Sequence, residues 1–149
     1  MTVAQAAHWF NMPSFEEECR RVGKEGGVVA LWTYNLFEID SEIDVIINNF
    51  YWNLLSGYWP KGREHVEQGY EDVNLSLEKL DAPEFSMSKQ WTFNQVIGYL
   101  SSWSALQKYL EVNDSSPIDL VKQDLAKAWG DIESIKTISW PLLLKMYRL

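Results

Sequence analysis

The sharpest hydrophobic pattern in the chain lies between residues 15 and 34. Phe15, Cys19 and Val22 recur at i, i+4 and i+7, the spacing of one buried helical stripe. Glu16, Glu17 and Glu18 come before Arg20, Arg21 and Lys24, the charge order a helix dipole favours when the acids fill the first turn. Asn11 is placed to cap this helix and Pro13 to sit in its first turn. Gly23, Gly26 and Gly27 predict left-handed conformations that stop it. Val28-Val29-Ala30-Leu31-Trp32 then runs apolar without alternation, which predicts a strand covered on both faces, the habit of a parallel α/β sheet.

The rest of the chain arranges itself around that strand. Thr2 to Ala7 reads as the end of an earlier strand, followed by His8-Trp9-Phe10. Ser41-Glu42-Ile43-Asp44 has capping-box spacing, and Ile43, Ile46, Ile47, Phe50, Tyr51 and Leu54 continue at helical period. Gly57-Tyr58-Trp59-Pro60 breaks that helix, residues 61–68 predict a shorter one, and residues 70–83 predict loop. Phe85, Met87, Lys89 and Trp91 alternate with polar neighbours as a strand does. Thr92 caps a helix carrying Phe93, Val96, Ile97, Leu100 and Trp103. Pro117 opens another with Ile118, Val121, Leu125 and Trp129, closed by Gly130. Ile138, Trp140, Leu142, Leu144 and Met146 form a last strand, with Pro141 expected at its beginning or at a bulge. One domain spanning residues 1–149 is expected, of about four strands and five helices.

Charge narrows the partners. Acidic residues number 21 against 13 basic ones, giving −8, which repels phosphate backbones and anionic lipid surfaces, so neither nucleic acid nor membrane is expected as a partner. The single cysteine, Cys19, lies on the apolar stripe of its helix and cannot form an internal disulfide. It reads as a small buried hydrophobe in a reducing compartment, and with no signal-peptide pattern and no spanning apolar run a cytoplasmic location is expected.

Phosphate-loop, dinucleotide, serine-hydrolase and zinc-protease motifs are absent, and two histidines with one cysteine make no plausible metal set. The acidic groups at residues 16–18 and 40–44 are explained by helix starts. His8 is the candidate for chemistry, because it follows a strand end, where open α/β sheets bind ligands, and imidazole works as a base or orienting group near neutral pH. His65 lies among charged neighbours in a surface-like segment.

Four stretches together carry a family resemblance: Ala4-Gln5-Ala6-Ala7-His8-Trp9-Phe10, the turn Arg21 to Gly27 into Val28, the Gly57-Tyr58-Trp59 break, and Trp103-Ser104-Ala105. The chain resembles the C-terminal half of class I S-adenosylmethionine-dependent methyltransferases of the type 11, trans-aconitate methyltransferase-like group. The resemblance implies a Rossmann-like α/β sheet of order 3-2-1-4-5-7-6. Residues 2–6 would end strand four, and residues 28–34, 85–91 and 142–147 would be strands five, six and seven. Flanking helices and a helical substrate-roof insertion at about residues 40–70 complete the expectation.

The resemblance also implies methyl transfer from S-adenosylmethionine to a small-molecule acceptor, with Gln5, Ala6, His8 and Trp9 beside the cofactor, His8 as base or orienting group, and Trp32, Tyr58, Trp59 and Trp103 walling the substrate side. The family's glycine-rich loop after strand one and the acidic residue ending strand two have no counterpart among these residues. The chain is therefore expected to be part of the catalytic domain, truncated relative to it, and to bind the cofactor weakly alone. A homodimer or a partner chain covering the open sheet edge is also expected. The rival expectation is a catalytically inactive methyltransferase-like binding or stabilising subunit. Ser102 stands where relatives tend to carry arginine, so the resemblance does not imply an anionic acceptor.

Overall fold

The computed structural model describes residues 1–149. In chain order the elements are β1 (Thr2–Ala4), α1 (Met12–Val22), β2 (Val28–Tyr34), α2 (Ser41–Asn49), α3 (Arg63–Glu67), β3 (Glu78–Leu80) and β4 (Ser86–Thr92). Then come α4 (Phe93–Ser101), α5 (Ser104–Leu110), α6 (Ile118–Trp129) and β5 (Ile135–Arg148). The sheet runs β1-β2-β5-β3, with β4 also paired to β5. The path β1-β2-β5-β4 matches the expected order of strands four, five, seven and six, and the mixed α/β fold class holds. β3, inside the stretch predicted as loop, is an addition: three residues too charged to show alternation are recruited by the end of β5, Glu78 opposite Arg148.

The chain divides into two compact units. The first comprises Met1–Leu36, Lys61–Met87 and Trp140–Leu149. Here β1 pairs in parallel with β2, Val3 opposite Leu31, and β2 pairs antiparallel with β5 along its whole length, from Val28 opposite Arg148 to Tyr34 opposite Leu142. Val3, Ala7, Cys19, Val29, Leu31, Val66, Tyr70, Val73, Leu75 and Tyr147 form its core. Along β2, burial alternates: Val29, Leu31 and Thr33 are buried while Ala30, Trp32 and Tyr34 are half-buried. The expectation of equal cover on both faces is therefore corrected. The apolar run has one core face and one partly open face, and on the latter Ala30, Trp32 and Tyr34 line a cavity.

Several local expectations around α1 change as well. Asn11 caps the helix as expected, its Oδ1 accepting from the Ser14 amide at 3.1 Å. Since the helix begins at Met12, the acids at 16–18 fall in its second turn, where Glu16 pairs with Arg20 at 2.8 Å and Glu18 with Arg21 at 2.5 Å. Cys19 is fully buried but Val22 is 49% exposed, so the stripe is shorter than its spacing suggests. Of the three glycines only Gly26 is left-handed, at φ +74°. Gly23 has φ −78° and is there for close approach: a Cβ would lie 2.2 Å from Leu149 Cδ1 and 2.6 Å from the Cys19 carbonyl.

The second unit comprises Phe37–Pro60 and Ser88–Ser139. Asp40, one residue earlier than expected, caps α2, its Oδ1 accepting from the amides of Glu42 at 3.2 Å and Ile43 at 3.1 Å. The helical period continues beyond α2 as a π-helical turn over Phe50–Leu54. The capping box of Thr92 and Gln95 opens α4, and Ile118, Val121, Leu125 and Trp129 are all buried on α6, as their spacing predicts. α4 ends two residues before Trp103, which instead stands at the N-terminal boundary of the unpredicted α5 without a side-chain cap. Pro141 sits inside β5 rather than at its start. On the β2 side it falls between the ladder ending at Leu142 and the isolated Glu38–Ser139 bridge, so there the missing amide interrupts no pair. Of the stretch expected as a helical roof, residues 40–60 lie in the second unit and α3 in the first.

Candidate functional site

In the first unit the parallel pairing of β1 and β2 brings two strand ends side by side, and the segment Gln5 to Trp9 leaves from one of them. Gln5 turns out of β1 with φ +52°, unusual for a residue with a side chain. What holds it is its own amide: Nε2 donates to the Tyr34 carbonyl at 3.1 Å while Oε1 accepts from the Tyr34 amide at 2.9 Å and from Thr33 Oγ1 at 2.7 Å. The side chain thus extends the strand pairing past the last backbone rung, where the Gln5 amide reaches the Trp32 carbonyl at 2.9 Å. A short 3-10 turn, Ala7–Trp9, follows, with Ala7 buried, Ala6 and His8 half-buried and Trp9 64% exposed.

His8 is seated on Tyr70. Its Nδ1 lies 3.0 Å from the Tyr70 hydroxyl, with the Trp9 ring 4.7 Å away on another side. Burial, then the charge of Arg63 and the neighbouring His65, hold the imidazole below its ordinary pKa, so His8 is a neutral base at pH 7. Burial pushes the Tyr70 phenol up, while the nearby Thr33 hydroxyl and the amides of His8 and Ala7 pull the other way. His65, four-fifths of a turn past Gly62, is engaged elsewhere: its Nδ1 meets Asp72 Oδ2 at 2.5 Å.

Tyr70 was not singled out by the sequence, and its placement comes from the end of α3. Gly69, at φ +63°, takes the left-handed position, with Gly69 N–H bonded to Val66 at 2.9 Å and Tyr70 N–H to His65 at 2.8 Å, the double closure of a Schellman end. Tyr70 is itself left-handed at φ +60°. For a bulky side chain that costs about 1–3 kcal/mol and persists only where neighbours over-determine it. Lys145, from β5, is that neighbour. Its Nζ bonds the Tyr70 carbonyl, the Glu71 carbonyl at 3.3 Å, the Val73 carbonyl at 3.0 Å and Asn74 Oδ1 at 3.2 Å. Burial, and then Lys79, lower the Lys145 pKa against the opposing pull of Asp72 and Glu71. Gln5 and Tyr70 are the two non-glycine residues with positive φ, the first held by Thr33 and Tyr34 and the second by Lys145.

The aromatic candidates separate. Trp32 lines a cavity of about 540 Å³ on the open face of β2, with Tyr34, Phe85, Met87, Leu142 and Leu144. In the second unit Trp59 and Trp103 come together, centroids 5.6 Å apart, with Tyr51 4.5 Å from Trp59 and 5.5 Å from Trp103. Tyr58, although adjacent in sequence, turns to Tyr109 at 4.9 Å and accepts from Asn113 at 3.3 Å. No three His, Cys, Asp or Glu side chains converge as a metal site would require, and no helix is long and apolar enough to cross a membrane.

No protein-family model matches the chain. A curated Dictyostelium discoideum protein, named as a candidate methyltransferase, is 33% identical over 132 residues, which is 87% of this chain and 50% of that protein. The solved structure of a candidate type II methyltransferase from Anaeromyxobacter dehalogenans superposes with a TM-score of 0.91 at 34% identity, covering 99% of this chain and 63% of that one. The chain thus spans about half the length of the curated relative it matches. Both comparisons agree with the resemblance read from the sequence, to one half of a class I methyltransferase.

Proposed function

We propose that this chain, which is methyltransferase-like over nearly its whole length, contributes the His8 half of a site that transfers a methyl group from S-adenosylmethionine to a small-molecule acceptor. The observation that carries the reading is a neutral, half-buried imidazole fixed where two parallel strands end. The donor set suits the cofactor's chemistry. The exposed Trp9 ring offers a flat apolar face for a purine, and Ala6 gives a small side chain at the turn where a ligand must come close. When bound, the cofactor supplies an electrophilic methyl on a sulfonium. His8 then takes the proton that the acceptor's nucleophilic atom gives up, and its lowered pKa keeps it ready to do so at neutral pH. Trp32, lining the cavity of the first unit, is a proposed aromatic wall for the acceptor, Tyr58, Trp59 and Trp103 are a separate proposed aromatic set in the second unit, and a cytoplasmic setting accords with the single buried thiol Cys19.

A second reading, a non-catalytic methyltransferase-like binding subunit, is favoured by one observation: both ends of the Gln5 amide are engaged within the fold, leaving that side chain little to offer a ligand. Calorimetric titration separates the two. The proposal expects weak or no binding of S-adenosylmethionine by the chain alone, and binding once the chain is joined to the part of the Dictyostelium relative that has no counterpart in it. No binding by the joined protein would favour the second reading, and low-micromolar binding by the chain alone would overturn the expectation that it supplies only half a site.

A further inference from the structure

Lys145 stands on β5 opposite Leu31 of β2, and its ammonium reaches a turn far earlier in the chain. Around Nζ lie the carbonyls of Tyr70, of Glu71 at 3.3 Å and of Val73 at 3.0 Å, with Asn74 Oδ1 at 3.2 Å. Oxygens that only accept are thus gathered about one group that only donates, so the curl of residues 70–74 depends on that single charge. The first oxygen of the ring belongs to the residue that seats His8. Tyr70 is 1% exposed and left-handed at φ +60°, and its hydroxyl lies 3.0 Å from His8 Nδ1. The Tyr70 N–H is fixed by its bond to the His65 carbonyl at 2.8 Å, so relaxing residue 70 to an ordinary negative φ rotates everything beyond its nitrogen. That rotation carries the phenol away from the imidazole. Trp9, the other ring against His8 at 4.7 Å, is 64% exposed and touches it only as a ring.

We infer that Lys145 and Tyr70 are positioning residues for His8: the ammonium closes the turn 70–74, the closed turn holds Tyr70 left-handed, and the hydroxyl so placed takes up Nδ1 and leaves Nε2 for a ligand. Neither residue has to touch cofactor or acceptor. A left-handed tyrosine persists only where its surroundings over-determine it, and Lys145 supplies that constraint from the far strand of the sheet. The charge has to be an ammonium, because a planar guanidinium presents its donors as a fork and does not fit a ring of oxygens about one point. The inference deepens the proposed role of His8, and rests on that role only for its use: the contacts that orient the imidazole are the same whatever chemistry it performs.

The test is nitrogen NMR of the full chain with labelled histidine, His65→Gln identifying the second imidazole, at a pH where His8 is neutral. Tyr70→Phe, which keeps the ring and removes the hydroxyl, is expected to shift the His8 Nδ1 signal and so marks its position when the contact is lost. Lys145→Met is expected to move Nδ1 most of the way to that position. Lys145→Gln, which keeps an amide donor on a shorter stem, is expected to move it part of the way, and decides the matter if Lys145→Met fails to fold. Asp40→Ala, which removes a helix cap in the second unit, is expected to lower stability and leave Nδ1 at its wild-type position, separating positioning from general loosening. Folded Lys145 variants with Nδ1 at the wild-type position overturn the inference. So does a Tyr70→Phe signal identical to wild type, or an equal displacement by Asp40→Ala. Because no cofactor or acceptor enters the measurement, failure of methyl transfer and failure of the positioning are read separately.

Discussion

His8 couples the site to stability through its proton. Its pKa in the folded chain lies below the ordinary value, chiefly from burial, with Arg63 and His65 adding to it. The unfolded chain therefore binds a proton first as pH falls. The neutral form's contribution is complete above the ordinary histidine range, about 6.5, and declines below it until the folded pKa is passed. Urea unfolding of wild type and His8→Gln across pH 7.5 to about 5 should show wild type losing stability more steeply. Parallel pH profiles would remove this coupling. Sequence showed His8, because a histidine after a strand end stands out locally. Its seat did not show: Tyr70 lies 62 positions away and is aimed by a left-handed backbone that no propensity predicts for tyrosine.

Among the elements, caps and clamps are the points of largest local consequence. Asp40 accepts two amides of α2 and pairs with Lys136 at 2.7 Å. Burial raises its pKa, but Lys136 and those amides more than offset this, leaving it lowered. Asp40→Ala should cost about 1 kcal/mol, read as a lower denaturation midpoint, with Asp40→Asn recovering most of it. No change for Asp40→Ala would show the cap to be idle. Lys145 plays the corresponding part for the turn from Tyr70 to Asn74. Lys145→Met leaves several carbonyl acceptors without their donor and should cost about 1–3 kcal/mol, with faster amide exchange confined to residues 70–74. Exchange unchanged there would contradict the clamp. The stripes of α2, α4 and α6 were legible because helical period is a local property. The cap at Asp40, the brief α5 and the three-residue β3 were not: Asp40 shares its role with distant Lys136, α5 has no side-chain cap, and β3 is recruited by a strand far along the chain.

For the molecule as a whole, strand order was legible through the family resemblance, whereas the antiparallel pairing of β2 with β5 was not, because an unbroken apolar run carries no sign of direction. β1 pairs only with β2, so its other edge keeps the polar groups that template association. Trp9 and Phe10 are exposed just beyond it. We expect the purified chain to associate, with itself or with a covering chain, and sedimentation over a hundredfold concentration range should show a rising mean mass. A constant monomer mass would contradict that.

The account stands most directly on labelled methyl transfer from S-adenosylmethionine to a panel of small acceptors. The chain would be joined to the part of the Dictyostelium relative that it does not match. The comparison is between His8→Ala and His65→Ala, the latter residue being held by Asp72 rather than by the strand ends. Turnover is predicted to fall by on the order of a hundredfold for His8→Ala and to stay near the parent value for His65→Ala. Equal turnover in the two variants at saturating acceptor would contradict it.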